Sequence, residues 1–400
     1  PVIMGTTVVL AVAVVVMNSF LSPHFLNAWN LSDATFNFTE KALIAFAMAM
    51  LIYVFNQGRY HPLMRPALVS SLFGYVLAGS AAIIDMGRWW QFYNLLLPWH
   101  WNFSSVMLET GLCVTAYTLL LFVENSPMVL ERFGLEQWRQ RIARVMWLII
   151  SIGILLPCMH QSSLGSILLV LGHKLSPLYL TPWLPLLFVS SVLAMGYALV
   201  VFEATVVSRS FRLASEHHLL ARLSRVIGWL LAGWLLLRWA DLLWRDALGD
   251  ALVMTPLAAS FWFENALAMF AAVVFLSPAG RRDEVWTFLA AVALLLFAIV
   301  YRFNAYLVGY TPAVDGYAYF PSVQEILVTL GMIAFEILGY LVVIKLFPVL
   351  HAPVRQPAEL AGLRRRLASM LYECLLLLGV LALTFLVPLL MLGIGMNYTP

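Results

Sequence analysis

Residues Ile84–Glu109 read IDMGRWWQFYNLLLPWHWNFSSVMLE, a short aromatic link between two long apolar segments. Asp85 closes the first segment and Glu109 lies near the start of the second. A carboxylate within a membrane segment is costly, so it normally faces protein or a water-filled cavity. Asp85 and Arg88 share a helix face at a spacing of three residues and can partly neutralise each other. The Trp, Tyr and Phe residues of the link are typical of a membrane interface, and they could also line a site for a flat ring.

Composition restricts the class of protein. Of the 400 residues, 62% are hydrophobic and 11% are charged, which excludes a water-soluble domain of this size and predicts an all-α polytopic membrane protein. We expect contacts with lipid and no nucleic-acid partner. The three cysteines lie in apolar segments without a C-x-x-C spacing, so the chain is predicted to hold no metal site or iron–sulfur cluster of its own.

The apolar segments predict ten to eleven transmembrane helices, each near the ~20 residues that a span requires. They cover residues 2–21, 39–56, 66–86, 103–124, 141–163, 184–207, 223–245, 255–277, 285–307, 322–350 and 369–395. The first segment is long enough to remain in the membrane, so no cleaved signal peptide is expected. Residues 1–350 are predicted to form one transmembrane domain, and residues 351–400 a basic cytoplasmic linker with an additional helix.

Basic residues alternate between the loops. Most of the 23 Lys and Arg residues follow even-numbered spans, as in the Arg-rich loop 125–141 and the run Arg364–Arg366. Because positive loops remain on the cytoplasmic side, the N-terminus is predicted to be cytoplasmic and the link 86–102 to be outside. The expected location is the cytoplasmic (inner) membrane of a bacterium or archaeon.

This topology brings most ionisable residues of the spans toward the outer leaflet. Such a group suits a quinone, whose reduction requires hydrogen-bond donors at two carbonyls and a supply of two protons. Candidate quinone-binding residues are the donors Arg88, His160, Arg302 and Tyr319 together with the acids Asp85 and Glu109. Candidate proton relays are Asp85, Glu109, Glu264 and Glu325 toward the outer face, Glu336 near mid-membrane and Glu203 near the inner end. The alternative is that these residues pair with one another to hold helices together, as Arg238 and Asp241 would at a spacing of three residues.

The polar segment Met159–Ser166 is expected to form a turn or a broken helix end after the fifth span, with His160 at that end. A haem b held by two histidines would require a pair at matching depth on facing spans. Only His160 is close to a span in this way, so the sequence does not favour haem b.

Several motifs resemble those of the NrfD/PsrC (polysulfide reductase) family. They are Tyr53–Pro62, Arg65–Ala67, Phe73–Tyr75, Asp85–Arg88, Ser105–Glu109, His160–Ser166, Arg238–Asp246 and Gly316–Pro321. The resemblance covers residues 53–350. Within the family, the sequence is similar to the ten-span branch, which contains the membrane subunits of hydrogenase-2-type enzymes and of the Dsr and Hmc complexes of sulfur metabolism. Residues 27–40 depart from the family pattern at the opening of span two.

The resemblance implies a membrane subunit of a respiratory oxidoreductase that reacts with menaquinone or ubiquinone near the outer leaflet. It also implies a ferredoxin-like partner with several iron–sulfur clusters on the periplasmic side, further catalytic and membrane subunits, and coupling to proton movement through Asp85, Glu109 and Glu203. Two other classes stay open from the residues: a secondary transporter, although no inverted repeat is evident, and a purely structural anchor.

Overall fold

The computed structural model describes residues 44–55, 57–85, 89–103, 105–170, 172–211, 217–253, 255–310, 323–347 and 349. Within these ranges the chain forms α-helices with short 3-10 and π segments and contains no β-strand. Six of the described helices are long and apolar enough to cross a membrane. The predicted all-α polytopic fold is therefore confirmed. The predicted spans 2–21 and 369–395, together with Arg88 and Tyr319, lie outside the described residues.

The main helices of the described ranges follow one another with short connections. They are α1 (Ile44–Ala49), α2 (Met64–Asp85), α3 (Val106–Arg132), α4 (Glu136–Val170), α5 (Leu184–Phe211), α6 (His217–Trp244), α7 (Pro256–Leu276), α8 (Glu284–Phe303) and α9 (Val323–Leu346). The observed ends of α2 and α7 fall within two residues of the predicted ones, whereas α3 and α4 both extend beyond their predicted ends at residues 124 and 163.

The extension of α4 corrects the expected turn at Met159–Ser166. The helix continues without interruption to Val170, and its serine hydroxyls donate to carbonyls of their own helix, as from Ser163 to Met159 at 2.9 Å and from Ser166 to Ser162 at 3.0 Å. Hydroxyls satisfied in this way do not require the helix to end. His160 consequently lies inside α4 and not at its terminus.

Helix α5 is the central helix of the part of the chain that the structure describes. It packs against α1, α4, α6 and α8, and 72% of its most apolar part is buried, compared with 11% for α4. A helix that is apolar on every side is expected in such a central place. Helices α5 to α8 form a four-helix bundle in which each packs on the next and α8 returns to α5, while α2, α3 and α4 pack alongside and α9 contacts α2.

Two local features position the ends of these helices near one another. A Cβ atom at Gly165 would lie 2.6 Å from the Cα of Pro185, so the backbones of α4 and α5 are in direct contact where only glycine fits. Helix α8 passes into a π-helical segment, Asn304–Val308, a rare conformation that is frequent at functional sites. The carbonyl of Gly309, just after this segment, accepts a hydrogen bond of 2.8 Å from the N–H of Ser176.

Candidate functional site

An ion pair lies buried in the α5–α8 bundle. Arg238 on α6 and Glu264 on α7 are both 0% exposed, and Nη2 of the arginine is 4.0 Å from Oε1 of the glutamate. Neither residue type is normally buried unless it is paired. The pair therefore marks a place where the chain tolerates the cost of desolvating two charges.

The other oxygen of Glu264 is held by two donors. Its Oε2 atom accepts a hydrogen bond of 2.9 Å from the hydroxyl of Tyr179 and one of 2.6 Å from Nδ2 of Asn304. Asn304 is the first residue of the π segment, and its Oδ1 accepts in turn from Ser260 at 2.6 Å. Tyr179 of the loop before α5 and Asn304 at the end of α8 thus hold the carboxylate, and Ser260 of α7 holds Asn304.

The guanidinium of Arg238 has a different environment. None of its three nitrogens has a hydrogen-bond partner among the described residues. Its Cζ atom lies 4.9 Å, 5.7 Å and 5.8 Å from the ring centroids of Tyr179, Phe261 and Tyr301. Cation–π contacts replace part of the lost hydration, but they leave the N–H groups able to donate to an acceptor.

A second polar group surrounds Arg302, the buried arginine of α8. Its Nη2 donates to the carbonyl of Phe188 at 3.0 Å, to the hydroxyl of Ser191 at 3.2 Å and to Oε1 of Gln161 at 3.4 Å. Its Cζ lies 3.4 Å from the centroid of the Phe188 ring. The amide nitrogen of Gln161 is 2.9 Å from Nε2 of His160, so Arg302 and His160 are joined through one amide.

His160 extends this group toward α2 and α3. Its ring nitrogens are each 3.5 Å from the hydroxyl of Tyr75, and the Tyr75 ring contacts that of Tyr117 edge-on with centroids 4.6 Å apart. On the other side, the Tyr301 ring centroid lies 5.6 Å from Cζ of Arg302 and 5.8 Å from Cζ of Arg238. The two groups therefore form one continuous buried cluster.

The structure unites some of the predicted site residues and separates others. His160, Arg302 and Glu264 belong to the buried cluster. Glu109 lies in the first turn of α3 and is exposed, and Glu203, part of α5, accepts a hydrogen bond of 2.6 Å from Ser70 of α2. Asp85 is the last residue of α2 and Glu336 lies in α9, but their side chains, like Arg88 and Tyr319, lie outside what the structure describes.

The predicted pair of Arg238 with Asp241 is wrong. Asp241 accepts from Nη2 and Nε of Arg245 at 2.7 Å and 2.9 Å. Arg245 lies four residues further along, just past the end of α6, and Arg238 faces α7 instead. Arg245 also donates to the carbonyl of Pro177 at 2.8 Å, which fastens the loop that carries Tyr179 over the buried pair.

Tyr179 and Asn304, the two donors to Glu264, are not among the residues that the sequence predicts. Tyr179 lies in a loop, where an aromatic residue has no pattern of its own. Asn304 follows Arg302 by two residues at the end of an apolar segment. A side-chain amide in that setting was the sequence feature that could have indicated a site residue.

Comparison with known proteins identifies the family. Residues 34–313, more than two thirds of the chain, match the family model described as polysulphide reductase, NrfD. The chain belongs to the NrfD family. It is 40% identical over 314 residues to a probable Ni/Fe-hydrogenase 2 b-type cytochrome subunit of Escherichia coli, a match that covers 78% of this chain and 80% of that one.

Two proteins of Nitratidesulfovibrio vulgaris are also similar. One, described only as a protein, is 30% identical over 313 residues, covering 75% of this chain and 79% of its own. The other is the integral membrane subunit of a menaquinone reductase, 28% identical over 178 residues, which is 41% of either chain. The resemblance stated from the motifs is therefore confirmed at the level of the family, and the chain is a multi-pass membrane protein of that family.

Proposed function

We propose that this chain is the quinone-reactive membrane subunit of a respiratory oxidoreductase complex. The observation that carries the proposal is the buried cluster itself: two arginines, a glutamate and a histidine converge among aromatic rings in the half of an apolar bundle predicted to face outward. A relative that is part of a menaquinone reductase supports the same substrate class. Neither a transporter nor an anchor is favoured by a specific feature of the described residues.

The chemistry of quinone reduction matches what these residues can supply. A quinone head group offers two carbonyl acceptors and takes up two electrons and two protons. The His160 and Arg302 side of the cluster provides donors, and Glu264, held by Tyr179 and Asn304, can hold a proton beside it. Glu109, exposed on the first turn of α3, is accessible to a quinone that enters from the lipid. We also propose Asp85, Arg88 and Tyr319 as contacts of the same quinone.

Electrons must come from or go to another subunit at short range. The chain has no cysteine pattern for an iron–sulfur cluster, so the proposal includes a ferredoxin-like iron–sulfur partner on the outer face. A quinone in the inner leaflet would be separated from such a partner by most of a hydrocarbon core of ~30 Å. This distance argument favours the outer half of the membrane for the quinone. Glu203 and Glu336 would then serve as relays in any coupled proton movement.

The name of the Escherichia coli relative includes a b-type cytochrome, which raises the question of haem b here. His160 is the only buried histidine inside a spanning helix of the described ranges, and its ring nitrogens contact Gln161 and Tyr75. These residues do not fit a haem held between two histidines, so no step is assigned to one.

The test uses the complex purified from native membranes with its partner subunits. A photoactivatable quinone should label peptides of α4 and α8 near His160 and Arg302, and an excess of unmodified quinone should prevent the labelling. Mass spectrometry of the same preparation should reveal an iron–sulfur subunit. Labelling confined to the neighbourhood of Glu203, or a complex without any iron–sulfur subunit, would contradict the proposal.

Turnover provides a second measurement. Glu109→Gln keeps the volume of the side chain but removes its titratable proton, and we expect quinone-linked turnover to fall by about 10²-fold in a fully assembled complex. Glu131→Gln is the matched control, because Glu131 lies on the same helix, is exposed and pairs with Arg65 at 3.0 Å. Equal turnover in both variants would leave Glu109 without a role in the reaction.

A further inference from the structure

Another buried acid lies on α3, outside the buried cluster. The residue is Glu124, which is 8% exposed. Among the described residues it takes part in no salt bridge and accepts no side-chain hydrogen bond. It follows Glu109 by fifteen residues on the same helix, a separation of about 22 Å along the axis. The two acids therefore occupy opposite ends of one membrane span.

Helix α4 leaves room for this carboxyl group. A Cβ atom at Gly153 would lie 2.8 Å from Oε1 of Glu124, so a larger residue there would displace the acid. Four residues later Pro157 has no N–H to bond the Gly153 carbonyl. In α3, Pro127 likewise has no N–H to bond the carbonyl of Val123, but the Ser126 hydroxyl donates to that carbonyl at 2.7 Å. The carboxyl group of Glu124 thus faces a glycine whose carbonyl lacks its helical donor.

Packing alone does not account for an acid at this position. A carboxylate without a counter-ion is strongly disfavoured in an apolar span, and an apolar side chain would fill the space beside Gly153 without that cost. Arg65 of α2 and Glu131 of α3 pair with each other at 3.0 Å, and no described cation forms a salt bridge with Glu124.

Two tyrosines interact with Glu124 through its charge. Neither Tyr53 nor Tyr117 forms a hydrogen bond with the carboxyl group, but a charge on that group acts on both hydroxyls. Tyr53 is 43% exposed, and its hydroxyl is 3.4 Å from Nε2 of the exposed His61. Tyr117 precedes Glu124 by two helical turns on the buried face of α3 and contacts Tyr75, which reaches His160. The acid thus lies between an exposed Tyr–His pair and the buried cluster.

We propose that Glu124 is a proton-exchange site at the predicted cytoplasmic end of the membrane domain. The carboxylate oxygen gains a proton from a hydronium ion at the Tyr53–His61 surface, whose O–H bond breaks to leave water. The new O–H bond of Glu124 breaks in turn when the proton passes toward Tyr117 and the His160 side of the cluster, which restores the carboxylate. No electrons move in this step. This proposal rests on the proposed quinone function, because the cluster is where protons would be consumed or released. It identifies Glu124 as the residue through which protons of the inner aqueous phase reach the cluster.

The test combines infrared spectroscopy with proton uptake in the complex reconstituted into vesicles. In difference spectra recorded between acidic and alkaline buffer, the parent complex should show a carboxylic acid C=O band that disappears in Glu124→Gln and persists in the matched control Glu131→Gln. Proton uptake from the cytoplasmic side should be slower by about 10²-fold in Glu124→Gln. An unchanged band and unchanged uptake in Glu124→Gln would overturn the proposal.

Two further variants keep the test decisive if Glu124→Gln does not assemble. Tyr53→Phe retains the acid and the packing, and it should slow proton uptake while leaving the infrared band in place. Gly153→Ala should shift the band, because its methyl group collides with the carboxyl oxygen. An unchanged uptake rate in Tyr53→Phe together with an unchanged band in Gly153→Ala would overturn the proposal. The infrared band is independent of quinone, so a complex without quinone turnover would refute the proposed function and still report on Glu124.

Discussion

Replacing Glu264 by Gln is expected to lower the free energy of unfolding by about 3–5 kcal/mol, because it removes the counter-charge of a buried guanidinium. Both members of the pair are 0% exposed and 4.0 Å apart. At that distance two unit charges attract by ~4 kcal/mol for an effective dielectric constant of 20. The amide carbonyl of the substituted side chain can still accept the hydrogen bonds from Tyr179 and Asn304, so the loss reports the charge.

A double-mutant cycle separates this effect from a simple loss of packing. Arg238→Met alone leaves the carboxylate buried without its cation, and it should destabilise the chain by a similar amount. The double variant removes both charges, so its cost should be smaller than the sum of the single costs by about 2–3 kcal/mol.

The measurement is denaturant-induced unfolding of the purified protein in detergent, followed by helical circular dichroism. Arg139→Met is the control, because its pair with Glu136 has side chains that are 41% and 52% exposed, and its loss should cost no more than about 1 kcal/mol. Additive single effects, or a Glu264→Gln cost no larger than that of the control, would show that the buried pair does not act as an ion pair.

Two further predictions concern packing and topology. Gly165→Ala should destabilise the chain by about 1–3 kcal/mol in the same unfolding assay, because its Cβ would lie 2.6 Å from the Cα of Pro185. The control Gly233→Ala, whose Cβ would meet no atom within 4 Å, should be neutral or stabilising by up to about 1 kcal/mol. Equal effects of the two substitutions would contradict the close contact of α4 and α5. In intact cells, an impermeant thiol reagent should label Gln91→Cys and not Gln137→Cys, with the parent chain as the control for native cysteines. Labelling of the second variant alone would reverse the orientation and with it the assignment of the outer half.

The sequence is sufficient to predict the class of fold, because spans and loops differ strongly in polarity. The sequence-based predictions fail where the local pattern indicates one structure and the tertiary contacts produce another. The polarity of the segment after Met159 predicts a turn, yet hydroxyls such as that of Ser163 donate to their own helix. The pattern ends a span at Glu124, which conceals that α3 continues to Arg132 and that the acid is buried.

The candidate site was predictable only in part. Residue type and depth were sufficient to select His160, Arg302 and Glu264, because ionisable groups are rare in apolar spans. Their partners depend on how helices rotate against one another, which spacing alone does not determine. For this reason the sequence pairs Arg238 with Asp241 on its own helix, while in the structure it faces Glu264 on the next one.

The π segment Asn304–Val308 restricts which changes in chain length the family fold can accept at this end of α8. Asn304 begins the segment and donates to Glu264, while Gly309 follows it and binds the loop that carries Tyr179, the second donor. Removing one residue between them would restore α-helical winding and rotate everything after it by about 100°, so both donors could not reach the same carboxylate oxygen. Side chains within the segment can therefore vary more freely than its length, and single-residue deletions should be absent from functional relatives at this place.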